Sequence, residues 1–298
     1  MRRLVTLAMA VALLASACSE AFEPPPPEGG GATLAPMATE SETPSPAPTP
    51  EPSPVEIAVS KLPTDGDDFL PVKVLGWIQT GGSVLCGGGT CKIDFIDPKD
   101  PREGVTVEVA IDADGAPGTM HALDSGYSES DLVLVPDRGA VMYAGDYAWV
   151  TGSWDPSRHT LHPDLIERAA APALKTTTST LAQLRTRKPG TLVKVTGRLD
   201  TPFLLGCWTG TCNLYLQDLK DSSRTVKIEV LLGPETGARP NTMRPLGDNF
   251  TSSQLRVFDA KKKVCRYGER IAVVGWVFRD EDGTPYIDPV RTISRIGP

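Results

Sequence analysis

The chain repeats itself, and that limits its fold more than any other feature. Val72-Lys-Val-Leu-Gly-Trp-Ile78 returns as Val193-Lys-Val-Thr-Gly-Arg-Leu199, 121 residues later. The match continues without a gap to Asp97 and Asp218, with ten identities in 26 positions. A second block, at an offset of 123, pairs Thr119-Met120 with Thr242-Met243, Leu132 with Leu255, and Gly145 with Gly268. A third, at 126, pairs Pro163 with Pro289. The blocks keep their order, so the folded part is two copies of about 100 residues, joined near Ala169 to Thr180. A chain of this length can bury a core in each copy.

Within each copy the apolar residues alternate. Val72, Val74 and Ile78 do so, then Ile93 and Phe95, then Val105, Val107 and Val109. The twin repeats this at Val193, Val195 and Leu199, at Leu214 and Leu216, and at Val226, Ile228 and Val230. Period two predicts half-buried strands. Further strands are expected over Tyr147–Trp154 and Arg270–Phe278, and a last one near Leu161–Ile166 and Tyr286–Ile293. Val133 to Gly139 reads as a strand and turn, and Thr119–Leu123 with Thr242–Leu246 as a helical turn.

Five strands in this order, with a mid-strand glycine in the first (Gly76, Gly197) and Gly145-Asp-x-x-x-Val-x-Gly152 in the fourth, resemble the OB-fold. Gly268-Glu269 to Gly275 repeats the fourth-strand pattern. The resemblance covers about residues 70–168 and 190–296. It implies an all-β protein with two tandem small five-stranded barrels, in which glycine lets the first strand bend. A small β-sandwich is the alternative.

The N-terminus reads as an export signal. Arg2 and Arg3 precede an apolar run from Leu4 to Ala17. Fourteen residues are too few to span a ~30 Å hydrocarbon core, which needs about 20. Leu14-Ala-Ser-Ala-Cys18 resembles a bacterial lipoprotein box, which implies lipidation of Cys18 and a membrane partner. Ala15 stands where that family usually has Leu, and Ala15-Ser16-Ala17 also suits ordinary secretion. Eleven of the 28 prolines fall between Ala21 and Pro54, and no Lys or Arg occurs from Leu4 to Ser60. Such a segment cannot bury a core and predicts a disordered tether. The expected domains are a signal peptide (1–17), an anchor and tether (18–66), and barrels over 67–172 and 173–298.

Cys86 and Cys91 are five apart, as are Cys207 and Cys212, each pair between the first two strands of its copy. Export favours a local disulfide in each. A shared metal would need four thiolates from two barrels, and a redox motif would favour Cys-x-x-Cys. Cys265 aligns with Met142, which predicts a buried, unpaired core thiol.

No set of nucleophile, base and orienting group is visible, and no cofactor or metal is expected. His121, His159 and His162 read as surface residues. Asp97 and Asp218 suit turn caps, and Glu108 and Glu229 point away from the valine face. The expectation is a non-enzymatic binding or structural protein, with an envelope hydrolase as the rival. On an OB barrel the outward face of the second and third strands and the adjoining loop bind ligands. In the second copy that face would carry Lys194, Arg198, Tyr215 and Lys227, with Trp208 in the loop. Cations beside aromatics suit stacking on bases or sugars. The net charge of -7 divides unevenly. Residues 67–172 hold 7 basic and 17 acidic side chains, and residues 173–298 hold 20 and 12. The basic copy therefore reads either as a site for an anionic polymer or as a partner docked on the acidic copy.

Overall fold

The structure, a computed structural model, describes residues 53–66, 68–79, 84–123, 127, 131–202, 205–208, 210–235, 237–247 and 249–297. The export signal, Cys18 and most of the proline-rich tether lie outside the described residues. The first copy comprises β1 (Val55–Ala58), β2 (Leu70–Gln79), β3 (Leu85–Gly87), β4 (Thr90–Ile96), β5 (Gly104–Ile111), β6 (Thr119–Met120), β7 (Leu134–Val135), β8 (Tyr147–Asp155) and β9 (Thr160–Ala169). The second comprises β10 (Thr177–Thr178), β11 (Thr191–Asp200), β12 (Cys207–Trp208), β13 (Thr211–Gln217), β14 (Thr225–Leu232), β15 (Thr242–Met243), β16 (Val257–Phe258), β17 (Val264–Cys265), β18 (Arg270–Arg279) and β19 (Pro285–Arg295).

Each copy is a closed five-stranded barrel. In the first, pairing runs β2–β4–β5–β9–β8 and returns to β2, with β5–β9 the one parallel step. The second repeats the circuit as β11–β13–β14–β19–β18, with β14–β19 parallel. Closure rules out the sandwich and leaves the circuit without an edge. The alternating apolar residues point inward. Val74, Ile78, Cys91, Ile93, Phe95, Val107 and Val109 are buried in one core, and Val195, Leu199, Cys212, Leu214, Leu216, Ile228 and Val230 in the other. Gly76 makes room for a neighbour as well as for a bend: a Cβ there would sit 2.3 Å from the Phe95 ring. Cys265 is fully buried in the second core, as its repeat counterpart Met142 is in the first, and burial pushes its thiol up to about 11.

Three expectations need correction. Val55 to Leu62, placed in the tether by its composition, belongs to the barrel. β1 pairs in parallel with β2, Val59 and Leu62 are buried, and the Ser60 N–H donates to Asp97 at 3.0 Å. The second copy begins the same way, with β10 on β11 and Leu181 and Leu184 in its core. The duplication therefore starts earlier, at Val55 and Thr177. Next, Thr119–Met120 and Thr242–Met243 are short strands instead of helical turns. Each pairs in parallel with the end of the third barrel strand, and this drives Met120 and Met243 fully into the cores. Two residues held by tertiary packing need no helical nucleus. Finally, the alternation that turns Val72, Val74 and Ile78 inward points Trp77 to the opposite, outward side. It does leave its own core, but the second barrel covers it and it is 3% exposed.

The two cysteine pairs form disulfides, with S–S distances of 1.98 Å and 1.97 Å. Each joins directly opposed residues of a hairpin, Cys86 with Cys91 and Cys207 with Cys212. Gly88 and Gly89 turn the first hairpin at φ of 63° and 87°. Closing so short a loop stabilises by about 2 kcal/mol in the chain-entropy model, so its main effect is to stiffen the loop. Asp97 and Asp218 cap their turns as expected, accepting from the N–H of Lys99 at 2.8 Å and of Lys220 at 2.9 Å.

Candidate functional site

The strand alternation that fills the second core also sets out its outer face. Lys194 and Arg198 stand exposed on β11, four residues apart on the same face. Tyr215 on β13 lies opposite Lys227 on β14, and both are half-buried. Lys227 is already engaged. Its Nζ lies 3.3 Å from Glu229 and 4.4 Å from the centre of the Tyr286 ring. Arg198 borders a shallow groove beside Glu269, Arg270 and Arg295, in which Arg295 bonds Glu269 at 3.0 Å. The backbone of Trp208 pairs with Thr211, while its side chain is not among the described parts. The face thus offers Lys194 and Arg198 to solvent, and Lys227 less so.

In the first copy, Glu108 accepts from the Thr90 hydroxyl at 2.8 Å and lies 3.7 Å from His162 Nδ1. His121 and His159 are exposed. Among the described residues no three of His, Cys, Asp and Glu gather as a metal cluster would need.

The junction between the barrels left no mark in the sequence. Trp77 from β2 stacks on Tyr147 from β8, with ring centres 6.2 Å apart and planes 14° apart. It also stacks on Trp276 from β18, with ring centres 6.2 Å apart. Leu192 is buried in the same cluster. Arg291 of β19 crosses the junction, donating from Nε to the Tyr147 hydroxyl at 2.6 Å. Its guanidinium carbon sits 5.1 Å from the Tyr147 ring centre and 5.4 Å from that of Trp276. Burial pushes the Tyr147 hydroxyl up, with Arg291 opposing. Neither copy's own alternation could disclose this contact, because Trp77 and Trp276 fill no equivalent positions in the repeat.

Beside this stack lies a cleft of about 260 Å³. Arg168, Arg239, Lys262 and Arg291 line it against one carboxylate, Asp146. Arg168 bonds Asp146 at 2.8 Å. Burial pushes Asp146 up, while Arg168, the Tyr143 N–H and Arg239 pull it down. Arg239 packs on the Tyr143 ring at 4.1 Å, and burial lowers its guanidinium against the pull of Tyr143, Asp146 and Asp131.

The fold defines a tandem pair of OB-like barrels. No family model matches the chain, and no curated protein matches it. Among solved structures it is similar to a murine DNA-binding protein bound to double-stranded DNA, at 8% identity and a TM-score of 0.25, over 76% of this chain and 97% of that one. It is also similar to tetrameric p202 HIN2, at 8% identity and a TM-score of 0.21, over 79% and 98%. Likenesses this distant carry no argument about what the chain binds.

Proposed function

We propose that this is an exported protein, held at the outer face of a membrane by a lipid on Cys18, whose barrels bind a partner and catalyse nothing. One observation supports export above all: each barrel braces its own hairpin with a disulfide, a bond that persists in oxidising compartments. The stacked junction of Trp77 with Trp276 supports a pair that stays docked, and Arg239 near Asp146 and Asp131 adds attraction between the basic and acidic copies. In cells supplied with labelled palmitate, the wild-type chain is expected to take up label and the Cys18→Ser variant none. Equal labelling of the two, or labelling of neither, would overturn the anchor.

A second reading, capture of an anionic polymer by the second barrel, draws on the uneven charge. Residues 173–298 carry 20 basic against 12 acidic side chains, and Lys194 and Arg198 face solvent. The full chain is then expected to bind heparin at low salt and to lose affinity steeply as salt rises. Replacing Lys194 and Arg198 with Gln should flatten that slope by about two counterions. An unchanged slope removes this reading.

A further inference from the structure

One pairing in the second barrel breaks a rule of sheet building. Arg198 of β11 stands directly opposite Arg270 of β18, and both are exposed. Opposed residues of an antiparallel pair share a face, with Cβ atoms about 5 Å apart, so like charges there weaken the sheet. Neither guanidinium meets a carboxylate among the described residues. The first barrel differs at this place. Its equivalent pair is Trp77 opposite Tyr147, and the second barrel covers it. The second barrel instead carries two cations there and leaves them open. A local rule broken with no structural return marks a place where function sets the residues.

The surroundings indicate what would restore the balance. Arg198 and Arg270 line a groove of about 430 Å³ together with Glu269, Arg295, Leu219 and Ile296. Glu269 is already engaged, binding Arg295 at 3.0 Å and accepting from the Arg266 N–H at 3.2 Å. Three cations against one carboxylate leave two positive charges along the groove. A guanidinium presents N–H groups side by side and pairs with one edge of an oxyanion. A carboxylate has one such edge, which a single arginine fills. A phosphate monoester has three free oxygens and about two negative charges, so it can meet two arginines at once and cancel the surplus. Leu219, 38% exposed, and Ile296 give the organic part of an ester an apolar footing.

We propose that this groove binds a small phosphate monoester, with the Arg198 and Arg270 guanidiniums as donors to its oxygens and Arg295 adding charge at the rim. The site shares Arg198 with the polymer reading above but does not rest on it, because it needs one terminal phosphate and no chain.

The test uses the full chain, labelled with ¹⁵N, at constant ionic strength. It follows the arginine Nε–H resonances, of which Arg198→Gln and Arg270→Gln assign two. Glycerol 3-phosphate is expected to move both resonances saturably, and glycerate, a carboxylate of similar size, to leave them in place. Each single variant is expected to weaken binding at least about ten-fold. Both side chains are exposed and each variant removes the repulsion, so without ester neither should lower the urea midpoint. Resonances unmoved by the phosphate ester, equal movement with glycerate, undiminished binding by either variant, or a lower midpoint for both would each overturn the proposal. Heparin is titrated separately. Ester binding without heparin binding keeps the site and removes the polymer reading, and heparin binding without ester binding does the reverse.

Discussion

Gly152→Ala is expected to destabilise the first barrel strongly, and Gly275→Ala the second. Gly152 sits in β8 at a bulge, opposite Pro163 of β9. A Cβ there would lie 2.0 Å from the His162 carbonyl oxygen and 2.9 Å from Pro163 Cα. The obstacle is backbone, so no rotamer change relieves it. Gly275 meets the same arrangement, 2.4 Å from an Ile287 methyl and 2.8 Å from the Pro289 carbonyl oxygen. The cause is shared. Proline has no N–H to give the ladder, the strand pair bulges there, and the facing backbone comes too close for any side chain. Relief means parting the strands that close the circuit, at a cost of at least about 3 kcal/mol out of the 5–15 kcal/mol typical of a domain. Urea unfolding followed by tryptophan fluorescence measures this. Gly247→Ala, where nothing lies within 4 Å, is the control and should change stability by less than about 0.5 kcal/mol. A Gly152→Ala protein as stable as the control would contradict the account.

Stability should also fall as pH rises from about 4 to 7, and Asp288→Asn should abolish much of that fall. Burial on β19 pushes the Asp288 carboxyl up to about 7, Glu229 adds to the rise, and Lys227 opposes it. An unfolded Asp releases its proton near pH 3.9, so between these values the folded chain holds a proton that the unfolded one has lost. The raised value therefore favours the fold fully below about pH 4, and the benefit is gone above about 7. The full difference amounts to about 4 kcal/mol, and solvent at the partly open strand face reduces the share realised. Urea midpoints from pH 4 to 8 test it. The wild type should decline across the window while Asp288→Asn stays flatter and is the more stable of the two at pH 8. Parallel curves for the two proteins would exclude Asp288 as the source.

How much of this was legible depended on where each residue found its partner. The ten barrel strands were visible because their partners lie in the same sheet and impose a period of two on Val72, Val74 and Ile78 and their twins. Cys265 was placed correctly because Met142 holds the equivalent position. β1 and β10 were invisible, since four and two residues carry no measurable period and β1 follows directly on the proline-rich stretch. The outer face was read by alternation alone, which exposes Lys194 and Arg198 correctly but cannot see Lys227 drawn to Glu229 and Tyr286. The junction was hidden for a different reason. Trp77 has Arg198 as its repeat partner, so the repeat itself predicts a polar surface where the protein stacks three aromatic rings.

The parallel pairing of β1 with β2 has a mechanical meaning. Any pull on the chain ahead of Val55 reaches the barrel along the strand axis. It loads the ladder from Val55–Val72 to Ala58–Leu75 all at once, as shear, instead of opening it one bond at a time as a zipper would. Because β1 stands outside the closed circuit, its release would leave the five-strand ring whole. The first copy thus meets tension with a clasp that can slip before the barrel gives way, and β10 places the same fitting between the two barrels.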